Sequence, residues 1–266
     1  MWGQIPTGGV KYVIPKEFYP DIDPKVYSAK VDAIVAQARR LANGTQDPET
    51  RIRVLNTVFF RYEGYHYDRR PFSQSVQDYY FLNGILDTKQ GICYTMPLLY
   101  IAVAQRLGYP IYPVLVPDHM FARYNDPSFQ RQNIEVTSGG KYFEDAWYIQ
   151  DFAISKRGLA SGSYMRTLTY HEFLAQMLVS NALFWGKRDG PKSIAYLARA
   201  REISPRNADI ADGLDRGFTA MANAAKSPSA QKQSRKIAMQ FEGEAKRLGY
   251  VGLLEIETAR ERMRGQ

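Results

Sequence analysis

Cysteine is nearly absent from this chain: Cys93 is the only one in 266 residues. A single thiol excludes an internal disulfide, which agrees with a reducing compartment. Histidine is scarce too, with His66, His119 and His171 as the whole supply. One thiol and three imidazoles cannot build a thiolate-rich structural zinc site, so neither a metal nor another cofactor is expected. No apolar run reaches the roughly 18 residues that a helical membrane span needs. The opening MWGQIPTGGVKYVIP lacks the basic start, apolar segment and small-residue cleavage site of a secretory leader. These absences fit a cytoplasmic chain, with an exported chain whose leader has been removed as the alternative.

What is present is material for a core, with 45% hydrophobic and 13% aromatic residues, 19 of them Tyr. The formal charge of +8 is unevenly spread: residues 186–266 carry 16 Lys and Arg against 10 Asp and Glu, residues 1–185 only 19 against 17. A basic C-terminal third could attract an anionic partner. It carries no aromatic-flanked basic cluster or base-reading motif, so a solvated helix face is the plainer reading and nucleic acid is not an expected partner.

Along the chain, residues 1–23 are rich in Pro, Gly and aromatics and read as an extended arm. Residues 27–41 repeat apolar side chains at helical spacing, with Asn43-Gly44 as a stop. Asp47-Pro48-Glu49 starts a second helix, with Asp47 as N-cap. Residues 61–76 read as loop and Asp78–Leu86 as a short helix. Cys93 opens an apolar helix that Gly108 and Pro110 end. IYPVLVP, HMFARY, NIEVT and AWYIQDF then read as strands joined by turns, hence an antiparallel sheet. From about Tyr170 the pattern is helical, as two hairpins, the first joined at Arg188-Asp189-Gly190. The alanine spacing of SIAYLARAREISPRNADI resembles the second helix of a tetratricopeptide unit, although a generic helical hairpin explains it equally well. The fold class is therefore α+β, with an arm at 1–23, a core domain at 24–165 and a helical region at 166–266.

At a helix start, unpaired N–H groups and the helix dipole favour negative charge and so a thiolate at Cys93. Gly91 would let a substrate approach closely. Position alone makes an inert buried thiol the plainer reading. A nucleophilic Cys needs a base that can lie far off in sequence, and His119, opening HMFARY, is better placed than His66 or His171. The base needs an orienting carboxylate from a neighbouring strand. Glu135 in NIEVT fits, with Asp118 and Glu144 as competitors. For an oxyanion hole, Gln90 or Asn83 are the candidates to join the Cys93 N–H, although a surface or capping role is the plainer reading of each.

The stretches YEGYHYDRR, FLNGILDTKQGICYTMPLLYIAVAQRLGYPIYPVLVPDHMFARY, NIEVTSGG and YMRTLTYHEFLAQMLVSN resemble the transglutaminase-like superfamily of papain-like Cys-His-Asp enzymes. They look most like a bacterial branch in which that domain precedes a tetratricopeptide-type tail. The resemblance implies Cys93 as nucleophile, His119 as general base and Glu135 in the place of the usual Asp. It implies a peptidase, amidase or transglutaminase acting on a protein or peptide, with a protein partner on the helical tail. Two departures stand out: Glu for Asp, and Asp118 where relatives often carry Gly before the His. A non-catalytic peptide-binding scaffold is the alternative, since some relatives replace the Cys by Pro.

Overall fold

The computed structural model describes residues 19–70 and 80–264. Most of the expected arm and the expected start of the third helix at Asp78 lie outside these. The elements run α1 (Pro24–Ala42), α2 (Pro48–Asn56), a π-helical turn (Thr57–Tyr62), β1 (His66–Tyr67), α3 (Leu82–Thr88), β2 (Gln90–Gly91), α4 (Thr95–Arg106), β3 (Ile111–Val116), β4 (His119–Tyr124) and β5 (Asn133–Ile134). A 3-10 turn (Val136–Ser138) follows, then α5 (Asp145–Asp151), α6 (Lys156–Ser161), α7 (Tyr170–Trp185), α8 (Gly190–Ile203), α9 (Ala208–Ala224), α10 (Pro228–Leu248) and α11 (Leu253–Arg264). The α+β class is as expected. Two small sheets are present among the described residues: β1 parallel to β2, and β3-β4-β5, in which β4 and β5 are antiparallel. No helix is long and apolar enough to cross a membrane among the described residues.

The chain divides into two compact units, one formed by the residues up to Pro113 with Met120–Phe143, the other by Val114–His119 with Glu144 onward. In the first unit, caps set the helix starts. Asp23 accepts from the Lys25 N–H at 2.9 Å and Asp47 from the Thr50 N–H at 2.8 Å, each followed by Pro at the first turn. Val31, Ile34, Val35 and Ala38 form the buried stripe of α1. Helix α4 is apolar all round and has Met96 to Ala104 buried throughout, as a central element must. The buried Tyr100 hydroxyl of α4 donates to Asn56 Oδ1 at 2.9 Å, and Asn56 Nδ2 donates to the Gly140 carbonyl at 3.1 Å. Helix α4, helix α2 and the loop after β5 are thus held in one hydrogen-bonded line.

In the second unit, Asp189 caps α8 through the Lys192 N–H at 3.0 Å, at the hairpin junction read from sequence. The α7–α10 core uses small residues, Ala175, Ala182 and Ala200, around Ile194, Leu197, Ile210 and Leu214. Residues 165–167 lie along β3: Met165 N–H donates to Leu115 O at 2.9 Å, and Val114 pairs with Thr167.

Two local expectations are corrected. AWYIQDF is not a strand, because Asp145–Asp151 is α5, with Asp145 in its first turn and Tyr148 buried. Its polar-apolar alternation also satisfies a short helix with one side covered. Residues 61–76 are not all loop, since His66–Tyr67 pairs with Gln90–Gly91. Two-residue strands leave too little pattern to read.

Candidate functional site

Cys93 does not occupy the first turn of α4. It sits in the turn just before the helix, whose N-cap is Tyr94, and it is half-buried. The local chain is tightly held: Thr95 Oγ1 accepts from the Ile92 N–H at 3.0 Å, and the Met96 N–H reaches Ile92 O at 3.0 Å. Pro97 has no N–H to return to the Cys93 carbonyl, so the regular helical ladder starts unevenly at this residue. Gly91 serves the interior, not an approach path for substrate. A Cβ there would stand 2.6 Å from Ile85 Cδ1 and 2.8 Å from Met96 Cγ.

His119 opens β4 after the two-residue turn Pro117-Asp118, which belongs with it to the second unit. Asp118 has a φ of 52°, in the left-handed region. Asp tolerates that conformation better than most residues with a side chain, and Gly adopts it freely. Asp118 therefore holds the conformation that the Gly expected from the resemblance would adopt. The His119 ring stacks on Phe152 with centroids 5.2 Å apart and planes 14° off parallel. The Arg260 guanidinium lies 5.0 Å from the Phe152 ring centre and is held by Asp151 at 2.7 Å. Phe152 is a neighbour of the imidazole that sequence reading missed. It caps the C-terminus of the misread α5, and only its being aromatic marked it.

Below that turn lies a second missed group. Tyr164 donates to Asp209 Oδ1 at 2.7 Å. Asp209 also accepts the Asp118 backbone N–H, and burial plus the nearby Asp118 charge push its carboxyl up to about 8. Burial likewise raises the Asp118 carboxyl, against the pull of Arg216, and Asp212 next to Arg216 is raised for the same reason. A raised carboxyl at Asp118 ionises less readily, which softens the effect of an acid beside His119. An acid held protonated in the folded state but ionising near 3.8 when unfolded contributes stability that fades as pH climbs from about 4 to about 8. Asp209→Asn cannot ionise, so its Tm should exceed the wild-type value by a margin that grows from pH 5 to pH 8.5. Thermal melts across that range check this, and a margin independent of pH would contradict it.

Glu135 is 2% exposed. The pairs Ala122–Ile134 and Arg123–Asn133 fix the β4–β5 register, which sequence alone left open. Continued by one residue, the register sets Glu135 opposite Phe121. The side chains of the opposed pair Arg123 and Asn133 do meet, Arg123 Nε to Asn133 Oδ1 at 2.8 Å. Glu135 caps the 3-10 turn, its Oε1 accepting from the Thr137 N–H at 3.0 Å and the Thr137 hydroxyl at 2.6 Å. Of its competitors, Asp118 lies in the turn and Glu144 is exposed as the N-cap position of α5.

Among the oxyanion candidates, Gln90 is half-buried in β2, and its N–H donates to Thr88 Oγ1 at 3.2 Å. Asn83 is 4% exposed in α3, and its Oδ1 is buried without a hydrogen-bond partner among the described residues. Cys93, Glu135, Gln90 and Asn83 belong to the first unit and His119 to the second. No group of three or more His, Cys, Asp or Glu side chains could hold a metal ion among the described residues.

The model of the transglutaminase-like superfamily matches residues 25–179, which include all of these positions. The UPF0162 protein PM0557 of Pasteurella multocida (strain Pm70) is 27% identical over 202 residues, covering 71% of this chain and 70% of that protein. F-box only protein 21 of Mus musculus is 36% identical over 139 residues, covering 47% of this chain. The chain spans only 21% of the length of that mouse protein.

Proposed function

Because the chain belongs to the transglutaminase-like superfamily, we propose that it is a cysteine-dependent acyl-transfer enzyme acting on an amide bond of a protein or peptide. Cys93 is the nucleophile, His119 the general base and Glu135 the carboxylate that orients the imidazole. The β4–β5 register carries this reading. Glu135 stands opposite Phe121, and the alternation of β4 gives His119 the same side of the strand as Phe121. An acid buried at 2% exposure is well suited to the role of holding one ring tautomer of such a base.

In the proposed reaction His119 takes the proton from Cys93 Sγ as the sulfur attacks the carbonyl carbon. The oxyanion is met by the Cys93 N–H, with Gln90 or Asn83 as the second donor. The C–N bond then breaks, the amine leaves with the proton from the imidazolium, and a thioester remains on Cys93. Water, activated by His119, releases the acid. Hydrolysis is favoured over transamidation, since no feature of the chain selects an amine acceptor. In this reading the helical region, where Gly213 and Gly217 of α9 pack against Leu197 and Ile194 of α8, serves as a tetratricopeptide-type surface for a protein partner.

One observation favours the scaffold reading instead: one oxygen of Glu135 already serves the 3-10 turn through Thr137. Alkylation separates the two. With iodoacetamide at pH 7, wild-type Cys93 should be labelled at least about tenfold faster than in His119→Ala. Equal, slow labelling of both proteins would leave the scaffold.

A further inference from the structure

A cleft of about 580 Å³ opens on the first unit; none of its lining residues is assigned to chemistry, and Gly140 and Lys141 of its wall bond the backbone of Glu135. One wall is the end of α2 with the π-helical turn, and the other is the segment from Phe129 to Phe143. Its rim carries Arg53, Arg61, Arg131 and Lys141, all exposed, against one carboxylate, Glu49. Glu49 reaches Arg131 only at 3.6 Å, and both side chains are more than 60% exposed, so that pair neutralises little. Elsewhere on this unit Lys30, Lys89 and Arg106 are matched by Asp87, Glu63 and Asp32. Arg61 and Lys141 have no carboxylate partner among the described residues.

Between the cations the cleft is lined by half-buried aromatic side chains, Phe60, Phe129, Tyr142 and Phe143. Arg131 is set 5.2 Å from the Tyr142 ring centre, and Arg53 donates to Thr50 Oγ1 at 3.1 Å, so two of the cations are steadied before any ligand arrives. The π-helical turn supplies Thr57, Phe60 and Arg61 to this lining. Such turns are less favourable than regular helix and are found frequently at functional sites. The far wall is fixed in place by the Asn56–Gly140 hydrogen bond, at a residue whose φ of 75° suits glycine.

We propose that this cleft binds an acidic, aromatic-bearing segment of a polypeptide. Cations on both walls with apolar rings between them match an extended chain in which carboxylates alternate with rings. A nucleic acid fits less well, because the rings are half-buried wall residues and not open faces on which bases could stack. The proposal is independent of the acyl-transfer reading, since none of the lining residues is assigned to that chemistry.

The test is fluorescence polarisation with a short fluorescein-labelled peptide of alternating Glu and Tyr, on the full chain. Saturable binding should weaken at least about tenfold in R61E/K141E and weaken as salt is raised. It should be unchanged in K232E/K236E, a charge reversal of the same size on exposed positions of α10. Both variants change exposed side chains, and melting curves establish that they are folded. No saturable binding, equal affinity in R61E/K141E, or an equal loss in K232E/K236E would overturn the proposal. Tighter binding of a single-stranded oligonucleotide of the same charge, lost in R61E/K141E, would also overturn it in favour of a nucleic-acid site.

Discussion

Cys93→Ala should reduce kcat/KM on any amide substrate of this protein by at least about a thousandfold, with KM and thermal stability almost unchanged. The size follows from removing the atom that forms the covalent bond, since what survives is only binding and oxyanion stabilisation. Stability is spared because the thiol is half-buried in the turn before α4 and fills no closed part of the core. His119→Ala should cost a similar factor, and the double variant little more than either single one, as groups acting as a unit are not additive. A scaffold would behave differently, with neither substitution touching any measured property except partner affinity. Steady-state kinetics on the three variants, with melts in parallel, check both halves of the statement.

Gly91→Ala should produce the largest loss of stability among conservative changes around the site. The added methyl would press on Ile85 and Met96 at distances no Cβ normally tolerates, and all three residues are buried. Overpacking of a filled core costs about 1–3 kcal/mol. For a chain of this size that is a fall in Tm of about 2–4 °C per kcal/mol. Activity should fall as well, since Gly91 pairs with Tyr67 and leads within two residues to Cys93. A variant with unchanged Tm would show that Ile85 and Met96 can move aside, and the account of Gly91 as a packing glycine would fail.

Gly91 also illustrates where sequence reading succeeds and where it stops. A Gly two residues before a Cys is visible in the string, but which atoms crowd it is not, because Ile85 and Met96 reach it through tertiary packing. Local signals were legible: Asp47-Pro48 names its own helix start, and Arg188-Asp189-Gly190 its hairpin junction, where Asp189 proves to be the cap. The apolar run of α4 was equally plain. AWYIQDF failed since seven residues with apolar and polar positions interleaved satisfy either period. The π-helical turn had no signal at all, as TVFFRY reads as ordinary helix until its neighbours are placed. Of the candidate site, the identity of Cys93, His119 and Glu135 came from order along the chain. The register that puts Glu135 opposite Phe121, the left-handed Asp118 and the Phe152 face of His119 came only from the fold.

The central claim is that Cys93 carries an acyl group during turnover. Intact-protein mass spectrometry of wild type quenched in acid with an activated peptide ester tests it most directly. The account predicts an added mass equal to the acyl portion, mapped to Cys93, absent in Cys93→Ala and accumulating far more slowly in His119→Ala. An adduct that is absent from the wild type, or that forms equally in Cys93→Ala, would contradict it.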